Sequence, residues 1–349
     1  MKAKAETLPA ALRYGLGIGP GDKAPLVPEQ LSMPEYAIEL GEGSAEMPLL
    51  DALQTNMFDE FFMRTDLAFA KHAQFAAIAS RAPGGRVIIA GGKEQEMVHI
   101  RTTGGVESGD LLAIVAKRGS HVTIVDELHA GAFFGRTMFL VVEEDAKVFI
   151  ASTMKGKESN VYKNHIALVG RGAEITWGDA NAEGCFVKSD VECVIEGEGG
   201  SAHIYRFLSG HNDRMIDVSD SVSHRAHHTR SRIHALGFAD DTSRIIYRGL
   251  IDMPKGLRGL DGSQEGKFLV LSKGAKIDAI PSLDIASRDV LCAHKLSVSA
   301  ISERDLFYPR SRGMRTEDAK ALIVEGLSTS SLSCIKNDMI TAVLEPELI

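Results

Sequence analysis

The sequence predicts a mainly β protein, a solenoid of stacked coils of the β-helix kind flanked by helical regions at both ends, and three observations predict it. The hydrophobic period changes near Arg86 from helical to strand-like, a turn-and-strand unit recurs through the middle of the chain, and helical signals return after Ile301. The expected division is an N-terminal helical region over 1–85, a β-helix core over 86–301 and a C-terminal helical region over 302–349.

In the first region, residues 49–81 contain no Gly or Pro and place Phe58, Phe61, Phe62, Phe69 and Ala73 at helical intervals, which predicts one or two helices. "APGG" at 82–85 stops them. In the core, "RGSHVTI" at 118, "EDAKVFI" at 144, "RGAEITW" at 171, "GGSAHIY" at 199, "DDTSRII" at 241 and "KGAKIDA" at 273 each join a turn pair to a strand. With Val122, Val148, Ile175, Ile204, Ile245 and Ile277 taken as equivalent, the spacings are 26, 27, 29, 41 and 32 residues, about two strands per unit. Units that cannot cover their own apolar face must stack on neighbours. The 41-residue interval implies an insertion or a longer strand pair around "SVSHRAHHTRSRIHALGFAD". Spacing alone does not fix the winding, so a closed barrel or a sandwich is the alternative. After Ile301, Ser302 with Asp305 resembles a capping box, and Glu317 and Asp318 suit a first helical turn. Ala319, Leu322, Ile323 and Leu327 then share one helix face, while Pro309 is expected to interrupt or kink the helix that starts at Ser302. Such a helical pair either docks a partner or caps an exposed strand edge.

Composition narrows the function classes. The chain of 349 residues is 44% hydrophobic and 25% charged, ordinary for a soluble globular protein, and its net charge of −8 opposes binding to nucleic acid or anionic membranes. Its first 25 residues lack the apolar core of a signal peptide, and no segment approaches the roughly 18 apolar residues of a spanning helix, so a cytoplasmic location is expected. Cys185, Cys193, Cys292 and Cys334 form no CxxC pair and read as reduced thiols. Without a GxxxxGK[ST], GxSxG or HExxH motif, the chain is not expected to hydrolyse a nucleotide by itself.

Two groups of residues have metal-ligand chemistry. Cys292 and His294 alternate with Leu291 and Ala293, so they project from one strand face; thiolate with imidazole suits zinc, copper or an iron-sulfur cluster. Two ligands do not make a site, and the plain reading is a buried cysteine beside a surface histidine. The stretch "HRAHHTRSRIH" holds His224, His227, His228 and His234, four of the twelve histidines. On one extended strand His224, His228 and His234 would share a face with Arg230 and Arg232, and His227 would take the other. That face could ligate a metal in a cupin-like or β-helical enzyme, but the arginines favour a solvated basic strand. Cys185 and Cys193, eight apart, either meet across neighbouring strands or pack separately.

"YRGLI" at 247–251, "LVLSKGAKIDAIPSLDI" at 269–285, "DVLCAH" at 289–294, "LFYPRSRGM" at 306–314 and "RTEDAKALIVEGL" at 315–327 occur in an order and spacing that resemble the SufB/SufD family of iron-sulfur cluster assembly scaffolds. The resemblance is strong over about 220–330, weaker through the repeats and slight before Arg86. It implies a β-helical core that pairs with a second SufB/SufD-type subunit, as homo- or heterodimer. It also implies that the C-terminal helices dock a SufC-like ABC ATPase, through Phe307, Tyr308, Arg310, Arg312 and Gly313. Nucleotide-driven closure of that ATPase would strain the scaffold and expose a transient iron-sulfur cluster site between the two β-helices. The family's C-x-H motif puts His294 forward as a cluster ligand, with Cys292 as the accompanying thiolate. A scaffold rather than an enzyme is implied; a flavin occurs in some relatives, but nothing in this sequence supports one. The chain departs from the pattern in lacking a cysteine in "GSQEGKFLVL", which is SufD-like or like compact archaeal-type members, in carrying Lys295 where SufB-like chains have Glu, and in placing Pro309 within a usually helical segment.

Overall fold

A computed structural model of the chain describes residues 24–53, 73–92, 95–335 and 337–345. Among these residues, eighteen strands fall into two sheets of nine. From β3 (Gly85–Ala90) and β4 (Gln95–Thr103) onward, consecutive strands alternate between the sheets, and strands two apart in sequence pair in parallel. One sheet runs through β6 (His121–His129), β8 (Lys147–Lys155), β10 (Glu174–Asn181), β12 (Ser201–Gly210), β14 (Arg230–Ala239), β16 (Leu260–Val270) and β18 (Val290–Ala300). The other runs through β5 (Glu107–Ala116), β7 (Phe133–Val142), β9 (Asn160–Val169), β11 (Phe186–Ile195), β13 (Met215–His224), β15 (Arg244–Met253) and β17 (Lys276–Ile285). This is a β-solenoid of about eight turns, as expected, and not a closed barrel or a sandwich.

The winding follows from period-two alternation. Residues of one strand alternately face the lumen and the outside, and parallel in-register stacking sets like positions on top of each other. Val122, Val148, Ile175 and Ala202 form one such inward column. These side chains are fully buried, and burying an Ile or Val stabilises the fold by roughly 1.5–3 kcal/mol. Turns stack as well: Gly119, Asp145, Gly172, Gly199, His228 and Gly259 all take positive φ, at spacings of 26, 27, 27, 29 and 31 residues. Each of the first five donates its backbone N–H to a carbonyl in the turn of the next coil.

This register corrects the repeat read from sequence. Val122, Val148 and Ile175 are equivalent, but Ile204 pairs with Trp177, and Ile245 and Ile277 belong to the opposite sheet. The partner of Ile204 in the next coil is Ile233, 29 residues on. There is no insertion; the 41-residue interval stepped from one sheet to the other.

The two ends differ. At the N-terminal end, β1 (Glu35–Leu40) and β2 (Ala45–Pro48) pair antiparallel with β4 and β3, so the stretch expected to be helical also holds two strands. Its described helices are α1 (Leu49–Leu53) and α2 (Ala73–Arg81). Phe75 and Ile78 of α2 pack on Phe133, Tyr162 and Phe186; Phe58, Phe61, Phe62 and Phe69 lie outside the described residues. At the C-terminal end, β17 and β18 are the last strands of their sheets, and no described strand pairs with their outer edges.

After β18 the chain forms α3 (Glu303–Ser311), α4 (Thr316–Leu332) and α5 (Asp338–Leu344). The Ser302–Asp305 capping box is present. Pro309 sits inside α3, in its last turn, and the helix runs past it to Ser311 rather than being interrupted there. Leu332, Ile335 and Leu344 return onto the outer face of the even-numbered sheet, against Phe207, Leu236 and Phe238. Ala319 is buried in α4, but Leu322 is exposed, so the apolar face is narrower than its spacing suggests.

Candidate functional site

The open end of the solenoid brings Cys292 and His294 together on the inward face of the last coil. Cys292 packs against the apolar lumen, its Sγ lying over Gly262 of the preceding coil. His294 follows two positions on and is exposed, because no described coil covers it. Burial and the Asp261 carboxylate push the Cys292 thiol upward, while the Ala293 backbone and Arg232 pull against them. Cys292 is therefore a protonated thiol that must release its proton to bind a metal. Around the pair the edge exposes Leu291, at 75%, with Ile280, Ile285 and Val298, interspersed with polar residues such as Asp278, Lys295 and Ser297.

The other predicted groups do not assemble. The stretch from 224 to 234 is not one strand: β13 ends at His224, a turn follows, and β14 begins at Arg230. The ring nitrogens of the inward-facing His224 contact Thr229 Oγ1 at 2.7 Å and Ser231 Oγ at 2.9 Å. Burial, aided by Arg225 and opposed by Asp261, lowers its pKa to about 4. His228 fills a positive-φ turn position, and His234 lies outside, stacked on Tyr205 with ring centroids 5.1 Å apart. These histidines have separate structural roles, and the metal-enzyme reading loses its ligand set. Cys185 is exposed before β11, Cys193 is buried within it, and all four cysteines are free. Among the described residues, no group of three or more His, Cys, Asp or Glu could hold a metal ion.

A buried charge ladder runs through the lumen, and sequence reasoning missed it. Arg136 donates to Asp110 (2.6 and 2.8 Å), Asp126 (2.8 Å) and Thr102 (2.8 Å), and Tyr36 Oη donates to Asp110 at 2.6 Å. Further along, Lys163 donates to Asp179 at 2.8 Å, and Arg206 bridges Asp179 and Asp220. Burial opposes ionisation of Asp179, but Lys163 and Arg206 outweigh it and hold the carboxyl well below its usual range. At Asp220 and Asp126 burial dominates and the carboxyls rise. The legible signal was a charge at an inward position of an otherwise apolar strand, as in "GRTMFLVV" and "SAHIYRFLSG".

Comparison with known proteins then decides the family. The family model described as "SUF system FeS cluster assembly, SufBD core domain" matches residues 100–327. The chain belongs to the SufBD family. Curated proteins of Staphylococcus saprophyticus, Staphylococcus epidermidis and Staphylococcus aureus, each named an iron-sulfur cluster assembly SufBD family protein, are 26% identical to it over 220 residues. The match covers 61% of this chain and 47% of each relative, so the chain spans about half the length of the curated relatives it matches.

The SufBD core match ends inside α4 and so takes in the open end and α3. On α3, Leu306 is buried while Phe307 and Tyr308 are 71% and 65% exposed. Arg312 lies over the Tyr308 ring, 5.5 Å from its centroid, Arg310 pairs with Glu303 at 2.9 Å, and Gly313 leaves the helix at positive φ. Two aromatic rings on a short, capped helix form a surface that the described residues leave exposed. No helix among the described residues is long and apolar enough to cross a membrane.

Proposed function

We propose that this SufBD chain is a non-enzymatic scaffold subunit that holds an iron-sulfur cluster as transient cargo between the open ends of two such subunits. A SufC-like ABC ATPase docked on α3 and α4 supplies the work. The observation that carries the reading is the junction at β18: a thiol and an imidazole stand at the mouth of a solenoid whose final strand edges no described strand pairs and which exposes Leu291, Ile280 and Val298. Unpaired parallel edges with exposed apolar side chains favour pairing with a second copy. A cluster takes about four protein ligands, so the two from each open end fit a site shared by two subunits. Imidazole holds iron less firmly than thiolate and so suits cargo that must leave. Exposed Phe307 and Tyr308 suit a partner surface, where aromatic residues carry much of the binding energy. Four free cysteines fit the reducing cytoplasm.

The test is anaerobic reconstitution followed by iron and sulfide analysis of the wild type and His294→Ala. The variant is expected to keep its fold and its hold on the ATPase while losing most of its cluster. Full cluster content in the variant refutes the reading.

A further inference from the structure

We propose that Gln264 is a positioning residue for His294: its side-chain carbonyl accepts a hydrogen bond from one ring nitrogen and leaves the other facing out of the solenoid toward the cargo. The inference rests on the reading of His294 as a cluster ligand. Over its last seven positions the inward column that ends at His294 runs Ile124, Ile150, Trp177, Ile204, Ile233, Gln264, His294, one residue per coil. Five apolar side chains give way to two polar ones only at the open end.

Gln264 is 2% exposed, and its side-chain carbonyl has no hydrogen-bond partner. An unpaired buried carbonyl destabilises a fold that an isoleucine, as in the coil before, would not. The Tyr247 hydroxyl adjoins the amide on its N–H side, which leaves the side-chain carbonyl as the group without a partner. The position is built for the amide: a Cβ on Gly249 across the lumen would fall 1.6 Å from Gln264 Nε2. The register sets Gln264 directly under His294 on the neighbouring strand, with the two backbones about 4.8 Å apart. A carbonyl behind a ligating imidazole fixes its tautomer and its direction.

The experiment labels the 349-residue chain with ¹⁵N at the histidine rings and reads the His294 tautomer near pH 8. His294→Ala assigns the signals. A single dominant tautomer is expected in the wild type and in Gln264→Glu, and a mixture in Gln264→Leu. Should the leucine variant not fold, Gln264→Asn, one methylene short, is expected to give the mixture. After anaerobic reconstitution, Gln264→Leu or Gln264→Asn should lose cluster to a chelator several-fold faster than wild type, with Gln264→Glu retaining it. An unchanged tautomer in those variants, with cluster still dependent on His294, overturns the role of Gln264 alone. Cluster content indifferent to His294→Ala overturns the reading beneath it.

Discussion

His224 shows how one buried side chain ties this fold to pH. Its imidazole is neutral in the folded chain, with a pKa of about 4, against about 6.5 when unfolded. The unfolded state takes up the proton first, so the stability His224 contributes is fully present above about pH 6.5 and disappears as pH falls toward 4. At most this amounts to ~3 kcal/mol. His165, buried against Trp177 and also held well below its usual pKa by burial, acts in the same direction. Urea unfolding of His224→Gln is expected to show a lower midpoint than wild type at pH 7 but a shallower loss between pH 6.5 and 4.5. Equal slopes for the two proteins would count against the assignment. None of this was legible beforehand, because "HRAHH" looked like continuous strand, whereas the positive φ of His228 makes it the turn that tucks His224 inward.

At the scale of elements, strand stacking and charge placement decide what holds. Arg206 links Asp179 on β10 to Asp220 on β13 and so ties the two sheets together inside the lumen. Removing the cation leaves two buried carboxylates short of a partner, so Arg206→Met should cost about 3–5 kcal/mol in chemical denaturation. A variant of wild-type stability would show that the ladder is incidental. On α3, Phe307→Ser with Tyr308→Ser removes two exposed rings and nothing from the core. Binding to a co-expressed ABC ATPase, followed by pull-down, should fall at least tenfold with the thermal midpoint unchanged; deletion of the residues after Ser302 should abolish it. Retained binding in the deletion refutes docking on these helices. The strands and both helix starts were legible, since alternation and the Ser302 cap are local signals. The sheet assignment of each strand was not, because Ile204 and Ile245 look alike while only register separates them.

As a whole molecule the chain is asymmetric along its solenoid axis. Antiparallel strands β1 and β2 close one end, and the other stays open with Cys292 and His294 at its centre. The pairing of a thiol with an imidazole two positions apart was readable from "LCAHK". That the pair stands at the mouth of the lumen was not, since it depends on β18 being the last coil. On the proposed reading the open end carries half of a ligand set and a second subunit completes it. Native mass spectrometry of the anaerobically reconstituted protein tests this most directly. One cluster per two SufBD-type subunits, lost together with His294→Ala, is the predicted result; a cluster retained on single chains, or on dimers lacking His294, would contradict it.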